Sequence, residues 1–88
     1  MALILKVDGT RKEMTPDNKD GSLSLEQLQA AVGGYIEVVA VPNSFNTLLV
    51  DEDGLMKKLP MNVEASKLAQ RPIVGNTVLC INQNSKLY

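Results

Sequence analysis

Residues 16–27, PDNKDGSLSLEQ, have the length and many of the letters of a calcium-binding loop. Asn18, Asp20 and Ser24 stand where side-chain ligands belong, and Gly21 stands where such a loop turns sharply. The first position is Pro16, which has no side-chain oxygen, and the last is Gln27, where a bidentate glutamate is required. A polar loop leading into a capped helix accounts for the same residues. Asp51, Glu52 and Asp53 form a second acidic group, followed by Gly54. A metal would need further ligands from elsewhere, whereas carboxylates closed by a glycine are ordinary turn chemistry. No metal site and no cofactor is expected.

Catalysis has little to work with. The chain has no histidine, so neither a serine nor its single cysteine, Cys80, has an imidazole partner. Gly33-Gly34 follows a helix and precedes a strand, the reverse of a phosphate-cradling loop. The expectation is a binding protein and not an enzyme. Arg11 and Arg71 are the arginines available to fork onto a phosphate. Of these, Arg11 is favoured, because it lies just beyond the Asp8-Gly9 turn. Tyr35 and Phe45 could each stack on a base. Asn43, Ser44, Asn46 and Thr47 crowd one turn and offer donors and acceptors to a base edge or ribose. Asn62 opens a helix, where free N–H groups favour an anion. Each has a structural alternative: turn formation for the asparagines, core filling for Tyr35, helix capping for Asn62.

The elements that must position these residues are short. Ala2 to Val7 reads as a buried strand, and Arg11 to Met14 as its hairpin return. Ser24 and Gln27 form a capping box at the start of a helix. Leu25, Leu28 and Val32 share one face of that helix, and the glycine pair stops it. Tyr35 to Val41 is rich in β-branched residues and reads as a strand buried on both faces or nearly so. Asn43 to Asn46 turns the chain into a strand over Thr47 to Val50. The acidic turn follows as a second hairpin-type turn, and Leu55 to Leu59 reads as extended. A second helix is expected over Asn62 to Ala69, with Val63, Ala65, Ser66 and Ala69 on its inner face; Pro72 blocks its continuation. Ile73 to Ile81 is the last strand, broken near Gly75. The fold class is α+β, a small and mainly antiparallel sheet with two short helices. Residues 1–81 make one domain, and 82–88 a polar tail.

Composition narrows the partners. A chain of 88 residues with 44% hydrophobic residues builds one modest core, and self-association into a dimer or tetramer would help it. A net charge of −1 argues against a broad DNA-binding or membrane surface. No apolar run reaches the roughly 20 residues of a membrane span. MALILKV lacks the basic start of a signal peptide, so a cytoplasmic location is expected. Cys80 lies in an apolar run and reads as a small buried hydrophobe.

GGYIEVV, VDEDG, LPMN and PIVGNTVL occur here in an order and spacing that resemble a small phage and prophage domain family of unknown function. The resemblance runs from about Leu3 to Ile81. Some small viral proteins similar to this one act as sponges for the cyclic dinucleotide signals of bacterial antiviral defence, an anti-CBASS activity. The resemblance therefore implies a protein that holds a cyclic dinucleotide without cleaving it, in the host cytoplasm. Because one 88-residue chain has little room for an enclosed pocket, the ligand is expected at the subunit junctions of a small homo-oligomer. The alternative is a protein-interaction or structural module that blocks a host protein.

The calcium-loop imitation lacks its end ligands, and the acidic turn lacks partners. Chelator should therefore leave the melting temperature unchanged in a thermal melt. A clear rise on adding millimolar calcium would contradict this.

Overall fold

The computed structural model describes residues 1–81; the polar tail expected over 82–88 lies outside the described residues. The chain forms β1 (Ala2–Leu5), β2 (Arg11–Glu13), α1 (Leu25–Val32), β3 (Ile36–Ala40), β4 (Thr47–Asp51), α2 (Val63–Ala69) and β5 (Thr77–Cys80). The strands make one sheet in the order β2-β1-β5-β4-β3, with every pairing antiparallel. The fold is α+β, as the element pattern implied.

Strand alternation distributes the core over both faces. Leu48 and Val50 of β4 join Leu5, Val39, Ile73, Ala65 and Ala69 in one buried cluster. Leu49, between them, joins Ala2, Val78, Cys80, Leu28 and Val32 in the other. Since successive strand side chains point to opposite faces, α1 covers one face and α2 the other. Leu28 is fully buried, and its burial contributes about 2 kcal/mol. The inner residues of α2 are alanines, which let that helix approach the sheet closely.

Both helices begin and end by local chemistry. The Ser24 hydroxyl accepts from Gln27 N–H, and the Gln27 carboxamide accepts from Ser24 N–H, each at 3.1 Å. Gly33 closes α1 with φ 88°, a left-handed conformation that costs glycine nothing. Its N–H and that of Gly34 both donate to the Gln29 carbonyl. Gln70 closes α2 in the left-handed region without being glycine.

Several expectations need correction. β3 is an edge strand, and within it only Val39 is buried. Its β-branched residues suit an exposed strand as well as a buried one, and the centre of the sheet belongs to β1, β5 and β4. Leu55 to Leu59 is not extended; it is a run of turns, with Lys58 at φ 57°. The acidic turn after β4 opens this coiled connection to α2, and no hairpin partner follows it. Val63 is 58% exposed and is not part of the inner face. The last strand is shorter than expected, its early half reduced to a single bridge between Met61 and Val74.

Asn62 joins these parts. It is fully buried. Its Oδ1 accepts from Ala65 N–H at 3.0 Å, capping α2. Its Nδ2 donates to the Leu5 carbonyl at 2.8 Å and the Gly75 carbonyl at 2.9 Å. Asn62→Ala removes the cap and strands two buried carbonyls, and should cost about 3 kcal/mol. Urea denaturation of the variant tests this; a loss below roughly 1 kcal/mol would contradict it.

Candidate functional site

The residues expected to bind a ligand do not converge in one chain. Arg11 projects from β2, at one edge of the sheet, and its guanidinium donates to both carboxylate oxygens of Glu64 in α2 through Nε and Nη2. Arg71, just past α2, lies 4.0 Å from Glu37 of β3, at the opposite edge. The two arginines therefore strap α2 to both edge strands. Asn62 is the internal anchor described above and has no solvent-facing atom to offer. Asn43, Ser44, Phe45 and Asn46 form the β3–β4 hairpin turn: Asn43 takes φ 60°, and the Ser44 hydroxyl accepts from Asn46 N–H at 3.0 Å. Phe45 is 78% exposed at the tip, while Thr47 is half-buried opposite Cys80. Tyr35 stands at the other end of β3 from this turn and is 70% exposed.

Tyr35 lines a cleft of about 350 Å3 together with Gln29, Gly34, Asp53 and Lys57. The cleft exists because of the glycine pair. Gly33 turns the chain out of α1, and Gly34 then passes close to an ion pair between Lys57 and the buried Asp51. A Cβ on Gly34 would lie 2.7 Å from Lys57 Nζ and 3.1 Å from Asp51 Oδ1. Lys57 Nζ donates to Asp51 Oδ2 at 2.7 Å and to the Gly33 carbonyl at 3.1 Å. The ammonium thus fastens the turn after β4 to the end of α1. One of its three N–H donors remains uncommitted to these partners.

The electrostatics follow from burial. The Asp51 side chain is 1% exposed, against 42% for Lys57. Burial works to raise the Asp51 carboxyl, but Lys57 and the Asp53 N–H together outweigh it and hold the group below the usual carboxylate range. Lys57 is largely neutralised by Asp51, and Asp53 adds a carboxylate to the cleft wall. The cleft therefore presents more acceptors than cations. It suits the N–H-bearing edge of a planar group stacked on Tyr35 better than it suits a bare phosphate.

Sequence reasoning found Tyr35 but missed Gln29, Asp53 and Lys57. The available signal was the second glycine: one glycine suffices to end a helix, so a second beside a tyrosine marks a close approach. In the calcium-like loop, Asp20 Oδ1 accepts from the Ser22 N–H and hydroxyl, and Gln27 Oε1 accepts from Asp17 N–H. Those oxygens are occupied in turn formation. Cys80 is buried, and burial pushes its thiol up, away from the nucleophilic thiolate. Among the described residues, no helix is long and apolar enough to cross a membrane.

A family model described as "Domain of unknown function (DUF3846)" matches residues 1–86. No curated protein and no solved structure matches the chain.

The depressed Asp51 group makes a stability prediction. A folded-state carboxyl held below its unfolded value, near about 3.9, stabilises the fold above that pH. This contribution fades as pH falls through the folded-state value. Asp51→Asn should therefore lose stability at neutral pH and lose less than the parent on acidification. Urea melts at pH 7 and at about pH 3 test the sign. Parallel pH profiles for parent and variant would contradict it.

Proposed function

The chain belongs to the DUF3846 family, and from that footing we propose that it is a binding protein that holds a cyclic dinucleotide without cleaving it. The observation that carries this reading is the cleft at Tyr35. An exposed aromatic ring forms one wall, and the Gln29 amide, the Asp53 carboxylate and Lys57 share the rim. That set addresses a nucleobase: the ring stacks on its face, and the carboxylate and amide meet the N–H groups of its edge. The phosphates stay at the mouth, toward solvent.

At about 350 Å3 the cleft accepts one base, and so it is part of a larger seat. The rest of a cyclic dinucleotide extends to a neighbouring subunit of a small homo-oligomer. Sequestration needs affinity and abundance, with no transition-state chemistry, in keeping with a chain that has no histidine. In a host cytoplasm such binding would blunt a cyclic dinucleotide alarm and counter antiphage defence. A second reading, a module that blocks a host protein, is favoured by the exposed Leu55 and Met56 on the turn beside the cleft. Recovery of intact nucleotide from the purified protein by heating supports the first reading; capture of a host protein without nucleotide supports the second.

Tyr35→Ala should weaken binding by about 5- to 150-fold, the equivalent of ~1–3 kcal/mol for a lost base stack. Titration calorimetry against a panel of cyclic dinucleotides, with folding checked by circular dichroism, reads this. A parent that binds none of the panel, or a variant that binds as tightly as the parent, would refute the assignment.

A further inference from the structure

The two edges of the sheet are built differently. β2 is three residues long, Arg11, Lys12 and Glu13, all charged and all exposed. Short charged edges discourage pairing with another strand. β3 is five residues long, Ile36, Glu37, Val38, Val39 and Ala40, with a single charge, no lysine and no proline. Val38 is 48% exposed.

The hydrogen-bond parity of β3 can be read from its flanks. Glu52 N–H donates to the Tyr35 carbonyl, and Val41 N–H donates to the Asn46 carbonyl. Along an antiparallel pair, residues that bond to the neighbour alternate with residues that do not. In the register Val38↔Leu49, Glu37 and Val39 therefore bond to β4. The N–H and C=O groups of Ile36, Val38 and Ala40 point outward, away from the sheet.

We propose that a second copy of this chain docks on β3, strand against antiparallel strand, with the two-fold axis at Val38. In that register Val38 faces the partner's Val38, and Ile36 faces the partner's Ala40. Every outward N–H of one strand meets an outward C=O of the other. On the α1 face the side chains brought together are Ile36, Val38 and Ala40, all apolar. On the other face Glu37 lies opposite the partner's Val39, so the carboxylates do not meet, and Arg71 stands near each one. Main-chain pairing supplies affinity in such strand additions, and side-chain fit fixes register. The β2 edge offers only three residues, and a two-fold at its centre would set Lys12 against the partner's Lys12.

The same register sets Tyr35 opposite the partner's Val41. The partner's hairpin turn then lies beside the Tyr35 cleft. On the ligand reading above, this brings together Tyr35 and the Asn43–Asn46 turn, which one chain holds at opposite ends of β3.

The test uses the full chain in sedimentation equilibrium, without nucleotide, so its outcome is independent of the ligand assignment. The parent should rise with concentration from 9.6 kDa toward a dimer mass. Val38→Lys places two ammonium groups across the axis, and Val38→Pro removes an N–H that β4 does not use. Each should weaken dimerisation at least tenfold while leaving the circular dichroism spectrum intact. A positive signal complements them. Directly opposed residues of such a pair have Cα atoms about 5.5 Å apart, within disulfide reach. Val38→Cys should therefore form a disulfide dimer under mild oxidation, and Ala40→Cys should not, because its opposite residue is Ile36. A parent that stays at 9.6 kDa at high micromolar concentration overturns the proposal and leaves the edge to a strand of another protein. So does a Val38→Lys variant that associates like the parent, or an Ala40→Cys variant that cross-links in place of Val38→Cys.

Discussion

The Asn62 carboxamide sits where three parts of the chain have to agree. Its oxygen starts α2, and its nitrogen holds the end of β1 and the approach to β5. Its own backbone N–H donates to the Ile73 carbonyl at 2.8 Å, and its carbonyl lies 2.7 Å from the Ser66 hydroxyl. That hydroxyl accepts from Ile73 N–H at 2.8 Å, which closes the loop after α2 onto the helix. A seven-residue helix with two buried alanines has little apolar area with which to fix its own position. The buried amide supplies the missing specificity, because a displaced α2 would leave several polar groups dry and unpaired. The ion pairs at the two arginines add to this from outside, at solvent-exposed positions where such pairs contribute little.

A second polar anchor, the Asp51–Lys57 pair, does on the other side of the sheet what Asn62 does on the first. It ties the turn after β4 to the end of α1 and fixes the backbone that precedes β3. The cleft is a by-product of that fastening. Its walls come from the last turn of α1, the glycine pair and the acidic turn. The β3–β4 ladder, carried on by Glu52 N–H to the Tyr35 carbonyl, sets the acidic turn beside the glycine pair, and Lys57 fastens them together.

How much of this the sequence disclosed depends on the distance over which each feature is decided. The capping box of Ser24 and Gln27, the stop at Gly33 and the cap at Asn62 are settled within a few residues, and each was legible. The inner face of α1 was legible for the same reason at Leu28 and Val32, but Leu25, read as part of it, stands in the first turn and is 54% exposed. Strand order is settled by pairing between remote segments. Val38 and Val39 therefore read alike in sequence, although one is exposed and the other buried. Leu55 to Leu59 carried apolar residues without a period, and its turns follow from the Lys57 anchor. The cleft draws on Gln29 and Lys57, whose meeting no local spacing encodes. Arg11 and Arg71 had the right chemistry for phosphate, and their carboxylate partners, Glu64 and Glu37, lie on elements distant in the chain.

The strand order also carries a temporal consequence. β1 is near one end of the chain, and its inner neighbour is β5, with Ala2 set against Cys80. β4, too, waits for β5 on its inner side. During synthesis the β1–β2 hairpin and the β3–β4 hairpin emerge early, yet each is only a two-stranded fragment with an open flank. Isolated hairpins are marginal in water. The strand that joins them is the last of the five to be made, and it buries Val78 and Cys80 on one face as it arrives. Assembly of the full sheet therefore waits for β5 and for the closure of long loops. Until residues 77–80 are in place, the apolar strands of both hairpins stand open to chaperones and to one another.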